Sequence, residues 1–177
     1  QERGISKAKL QAIVGTDVIR KGPFNWEWVQ GILKAIDRHV PKGSGASVAL
    51  ATNDVYQYLF NPNIRATIDD GVRQAMVPGI PTVVVSHSLG TVVAYRLLRE
   101  EGRTQGWDVP LFVTLGSPLA VTAIRDSLTP RTFPKCVKKW FNAMDDRDVV
   151  SLYPLDRKNF GVPGIENKVD VDNHTKN

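Results

Sequence analysis

Apolar and polar positions fall into short blocks separated by Gly and Pro, and the blocks carry two different periods. The clearest is Thr82-Val83-Val84-Val85, a β-branched run closed on its left by Pro78-Gly79 and Pro81. A run of that length between turn residues predicts a short buried strand. From Leu89 to Glu100 the period changes. Leu89, Val92, Val93, Leu97 and Leu98 are apolar, while Arg96, Arg99 and Glu100 gather towards the far end. That spacing predicts a helix whose first two turns are buried and whose last turn is wet. Further strands are expected at Leu111–Leu115, Val137–Ala143 and Ile165–Val171. Helices are expected at Asp54–Phe60, from Ile64 to about Met76 behind an Asn63 cap, and at Ala120–Leu128. In the second of these, Ile64, Ile68, Val72 and Ala75 form the apolar stripe, and Arg65, Asp69, Asp70, Arg73 and Gln74 face water.

Strands followed by helices in this order imply right-handed crossovers and a mostly parallel sheet, so the class is α/β. Ligands in such sheets bind at the carboxyl ends of the strands. Residues 1–45 read differently. A loose amphipathic helix over Ile5–Val18 is broken by Gly22-Pro23, and an aromatic knot, Phe24-Asn25-Trp26-Glu27-Trp28-Val29, leads into a helix reaching about His39. Pro41-Lys42-Gly43-Ser44-Gly45 is a loop. The expectation is a cap-like helical segment at 1–45 and an α/β core at 46–177, a single domain overall.

Composition narrows the class. At 177 residues, 42% hydrophobic and 23% charged, the chain matches ordinary globular sequences. No run approaches the length of a membrane helix, and no signal-peptide pattern opens the chain. A lone cysteine, Cys136, has no internal partner and is expected buried and inert, so a reducing, cytoplasmic setting is the default. The net charge of +5 comes mainly from residues 1–42, not from the neighbourhood of Ser88. Lys135, Lys138 and Lys139 read as solvated strand flanks, because no aromatic interleaving or nucleic-acid motif accompanies them. Asp170-x-Asp172 begins like a calcium loop but lacks the turn glycine and distal glutamate. No phosphate-cradling glycine pattern appears. No metal, cofactor or nucleic acid is therefore expected.

Ser88 sits at the junction between the predicted strand and helix. A strand that turns directly into a helix leaves one residue exposed on a sharp corner, and the positions two before and two after it must be small. Ser86-His87-Ser88-Leu89-Gly90 fits the G-x-S-x-G nucleophile elbow, with Ser86 in place of the first glycine. The bland alternative is that Ser88 is only a helix N-cap. His87 is expected to point away from Ser88 and to pack or support rather than act as the base. Ser117 is the one rival nucleophile, but Pro118 forbids the tight helix start an elbow needs.

The run Ser86–Tyr95 resembles serine α/β-hydrolases of the lipase/esterase type. Leu115-Gly116-Ser117-Pro118-Leu119 and Trp140-Phe141-Asn142 with its Asp-rich loop extend the likeness. The resemblance implies a three-layer fold, a mostly parallel sheet flanked by helices, and the chain order Ser, Asp, His for a triad. After Val137–Ala143 comes Met144-Asp145-Asp146-Arg147-Asp148-Val149-Val150. By resemblance Asp148, before the apolar pair, leads as the acid, with Asp145 second and Asp146 third. Of His39, His87 and His174, only His174 follows the acid, and it is the expected base. The alternative is a histidine beyond Asn177 in a longer natural chain. The Leu89 N–H is the expected oxyanion donor. No His-Gly-like loop precedes Ser88, which implies either a fragment lacking the family's first strands or a different second donor. Two functions follow as expectations. One is a serine hydrolase that cleaves an ester or other small acyl substrate through an acyl-enzyme on Ser88. The other is a non-catalytic binding or interaction domain that keeps the elbow as architecture.

Overall fold

The computed structural model describes residues 54–146, 148 and 150–172. The segment 1–45 and His174 lie outside the described residues. Residues 54–60 form helix α1, followed by α2, Pro62–Ala75. The alternating unit then runs β1 Val84–His87, α3 Leu89–Glu100, β2 Val109–Leu115, a 3-10 turn Pro118–Ala120, α4 Thr122–Ser127, β3 Val137–Ala143 and β4 Ile165–Lys168. The four strands form one sheet in the order β1-β2-β3-β4, every pair parallel. The α/β class and the parallel sheet are as the sequence predicts.

The core lies between this sheet and α3. Val92, Val93, Tyr95, Leu97 and Leu98 of α3 are buried, together with Val109, Phe112, Val137 and Trp140 from the strands. Burying a side chain of this size contributes about 1.5–3 kcal/mol. Trp140 is the hub, with ring centroids of Phe112, Tyr95 and Phe160 at 4.9, 5.3 and 6.0 Å. Its indole N–H donates to Thr114 Oγ1 at 3.1 Å. Leu97 and Leu98 are buried in the last turn, so the apolar stripe of α3 runs its whole length, and in that turn Glu100 alone is exposed.

Three elements depart from the pattern reading. β1 starts two residues later than the β-branched run, because its pairing with β2 begins at Val84↔Phe112, and Thr82 instead bonds Asp108 O at 2.9 Å. Among the described residues it is an edge strand, and Val83 and Val85 are 57% and 62% accessible, against the expectation of a buried run. Helix α2 is capped by Asn61, not Asn63. The Asn61 side chain accepts from the Asn63 and Ile64 N–H groups, and Pro62 fills the first helical position, where no N–H is needed. Its buried face is also turned. Asp69, assigned to water by periodicity, is buried, whereas Ile64 and Ala75 are exposed. Asp69 accepts from Tyr58 Oη at 2.7 Å and from Arg96 Nη1 at 2.8 Å, which satisfies the charge inside the α1–α2–α3 junction. The segment expected as one helix at Ala120–Leu128 is a 3-10 turn followed by the six-residue α4, and β4 ends at Lys168 rather than Val171.

Candidate functional site

Parallel register decides where the loops meet. His87 is level with Leu115, Leu115 with Ala143, and Ala143 with Lys168, so all four strands end in one line. The ladder continues one residue beyond each end. Ser88 N–H donates to Leu115 O at 3.1 Å, Gly116 N–H to Ala143 O at 3.2 Å, and Met144 N–H to Lys168 O at 2.9 Å. The segments carrying Ser88, Ser117 and the Asp-rich loop therefore emerge side by side at the carboxyl edge.

At the head of this edge Ser88 has φ 50° and ψ −125°, the only positive φ outside glycine among the described residues. A non-glycine residue there is strained by about 1–3 kcal/mol and persists only where its surroundings impose it. Here β1 ends at His87 and α3 begins at Leu89, leaving Ser88 alone to make the corner. The Ser88 side chain makes no capping bond to the helix, so the bland cap reading fails. The small neighbours fit as the motif requires. A methyl group on Gly90 would rest 3.9 Å from Ser86 Cβ, an ordinary contact, so the pair has room for serine where the motif has glycine. Ser86 Oγ donates to Val113 O at 3.2 Å and ties the corner to β2.

A hydroxyl relay fixes the first turn of α3. Thr91 Oγ1 donates to Ser88 O at 2.7 Å and lies 2.8 Å from Ser117 Oγ. Thr91 has one hydroxyl proton and the carbonyl can only accept it, so Ser117 donates to Thr91. Ser117 also accepts from Leu119 N–H at 3.3 Å and is buried. With its proton engaged and no access to solvent, Ser117 is a structural turn serine that supports the corner. Leu89 occupies the first position of α3, where a helix leaves its N–H groups without intrahelical partners and carries positive potential.

The acidic loop separates its aspartates by environment. Asp145 is buried, Asp146 is exposed, and Asp148 is intermediate. Asp148 Oδ1 accepts from Val150 N–H at 2.8 Å, and Asp148 N–H donates to Asp145 O at 3.1 Å. Its other oxygen reaches the neighbourhood of the elbow. A methyl group on Gly116 would stand 2.9 Å from Asp148 Oδ2 and 3.2 Å from His87 Nε2. Gly116 has φ 53°, so glycine is required there both for its backbone and for the space. Asp148, the leading acid, is thus brought against the Gly116 turn at the end of β2, one strand from the elbow. His87, exposed at the end of β1, also approaches Gly116, with its Nε2 3.2 Å from the same point. The signal that finds it is register: His87 is the last residue of β1, level with Leu115 and one step below Gly116.

Past β4, Val171 N–H donates to Met144 O at 3.2 Å, which holds the chain against the start of the acidic loop. No group of three or more His, Cys, Asp and Glu side chains suited to a metal ion occurs among the described residues, and no described helix is long and apolar enough to cross a membrane. No family model, curated protein or solved structure matches the chain.

Proposed function

We propose that this chain is a serine hydrolase of the α/β-hydrolase type, acting on an ester or related acyl substrate. The observation that carries the reading is the Ser88 backbone: a positive φ on a non-glycine residue, placed between a parallel strand and a helix, with a side chain not used as a cap. Strain of this kind at the carboxyl edge of a parallel sheet serves to present a group rather than to stabilise the fold.

In the proposed reaction Ser88 Oγ attacks the acyl carbonyl while a histidine takes its proton. The Leu89 N–H stabilises the oxyanion, the alcohol leaves with the proton returned by the histidine, and water then hydrolyses the acyl-enzyme by the same steps. Asp148 is the carboxylate that orients the base. Its position against the Gly116 turn, unlike that of the solvent-facing Asp146, supports that choice. His174 remains the proposed base by its order in the chain.

Turnover of short p-nitrophenyl esters by the full chain tests the reading. Ser88→Ala should lower kcat by about 10^3-fold or more, and Asp148→Asn by about 10^4-fold with little change in KM. Equal rates in wild type and Ser88→Ala would leave the elbow as architecture in a binding domain.

A further inference from the structure

The Ser88–Leu89 peptide is gripped by its carbonyl. That oxygen accepts twice from Thr91, from the hydroxyl at 2.7 Å and from the backbone N–H at 3.0 Å. The Thr91 hydroxyl accepts in turn from Ser117 Oγ at 2.8 Å. Both side chains are buried, so solvent does not compete for these bonds. A threonine bonding back to a carbonyl of its own helix is a common local habit. Ser117 makes this one different, because it reaches Thr91 from the turn after β2, 26 residues along the chain. A peptide group is planar and trans, so its carbonyl and its N–H point in opposite directions and turn together. Here the carbonyl belongs to Ser88 and the N–H to Leu89, the proposed oxyanion donor. The grip also has something to oppose. Ser88 has φ 50° and ψ −125°, whereas a left-handed residue ordinarily takes a ψ of about +47°. Rotation towards that relaxed angle would swing the carbonyl away from Thr91, break both bonds and turn the Leu89 N–H out of its present direction.

From these bonds we infer that Thr91, backed by Ser117, is a positioning residue for the oxyanion donor. Its hydroxyl holds the Ser88 carbonyl in place and thereby keeps the Leu89 N–H aimed where the oxyanion forms. The inference rests on Ser88 being the nucleophile. It gives the buried Ser117 a task in the reaction without contact with substrate, and it ties the end of β2 to the first turn of α3 through a single hydroxyl.

The test compares turnover of a short p-nitrophenyl ester by the full chain with binding of a trifluoromethyl ketone. Ser88 Oγ adds to the ketone carbon, the carbonyl electron pair moves to oxygen as an oxyanion, and the hydroxyl proton passes to the base. Thr91→Val keeps the side-chain shape and removes the hydroxyl. It should lower kcat about tenfold, a part of what losing a whole oxyanion donor costs. KM should stay within about twofold, and ketone affinity should fall by the same factor as kcat. Thr91→Ser, which keeps the hydroxyl, should recover most of both. Ser117→Ala should slow wild type about threefold and Thr91→Val no further, since Ser117 acts only through that hydroxyl. Should Thr91→Val fold poorly by its denaturant midpoint, Ser117→Ala decides: kcat and ketone affinity that fall together support the role, and unchanged values overturn it. Thr91→Val with wild-type kcat and ketone affinity, or Thr91→Ser as slow as Thr91→Val, would overturn the positioning role while leaving Ser88 as nucleophile. Ester turnover equal in wild type and Ser88→Ala would remove the hydrolase reading and this role together.

Discussion

Ser88 occupies backbone space that suits glycine, and its side chain gains nothing locally in return, because it makes no capping bond. A stable corner would use glycine; a serine there is explained by what its hydroxyl does. The prediction at this scale separates stability from chemistry. Ser88→Gly should raise unfolding stability by about 1 kcal/mol, because relief of a strain of about 1–3 kcal/mol outweighs the backbone entropy glycine adds. It should also abolish probe labelling. Denaturant midpoints of the two proteins measure it, and a destabilised Ser88→Gly would show that the corner carries no strain. The serine itself was readable in the sequence, since a β-branched run, small flanks and a helical period converge on it. The approach of Asp148 to the Gly116 turn was not. It depends on which strands are neighbours and in what register, and nothing local to either residue encodes that.

At the scale of elements, α2 shows where periodicity misleads. Periodicity places the polar Asp69 on the wet face, yet it is buried because Tyr58 on α1 and Arg96 on α3 supply its bonds. One helix read alone cannot reveal partners on two others. Burial and the bond to Asp69 raise the Tyr58 phenol far above its usual range, so it stays a donor at all ordinary pH. The same α2–α3 seam closes with Arg73, which donates to both oxygens of Glu101 at 2.7 Å. Hydrogen bonds from Arg73 hold the Glu101 carboxyl below its ordinary value. A depressed folded-state pKa means that this pair's stabilisation is complete above the unfolded value of about 4.3 and is lost as the pH falls below it. Replacing Arg73 with Met should therefore lower stability at pH 7 and flatten its decline on acidification below about pH 4. Urea midpoints across that range measure the effect; an unchanged acid slope would show that Glu101 gains nothing from Arg73. The pair is partly solvated, so the change should be modest and should shrink in high salt.

At the scale of the whole molecule, one feature of the sheet produces the site. Four parallel strands end in register, and each loop leaves from the same edge. The buried ladder beneath fixes that alignment: Thr114 Oγ1 donates to Asn142 Oδ1 at 2.8 Å, and Asn142 Nδ2 donates to Asn167 Oδ1 at 2.9 Å, linking β2, β3 and β4 at matching positions. A one-residue slip would break all of these bonds at once and turn each strand's buried face outward. β2 was legible as an apolar run. The exposed face of β1 was not, because a continuous β-branched run reads the same whether a strand is central or at an edge. The order of chemistry along the chain was legible too, with the serine first and the aspartates later, but only the sheet brings Asp148 next to the elbow. The most direct measurement is peptide mapping by mass spectrometry after the full chain reacts with a fluorophosphonate. The expected result is one phosphonyl adduct, on the peptide holding Ser88, absent from Ser88→Ala. An adduct on Ser117 instead, or wild-type protein left unmodified, would contradict it.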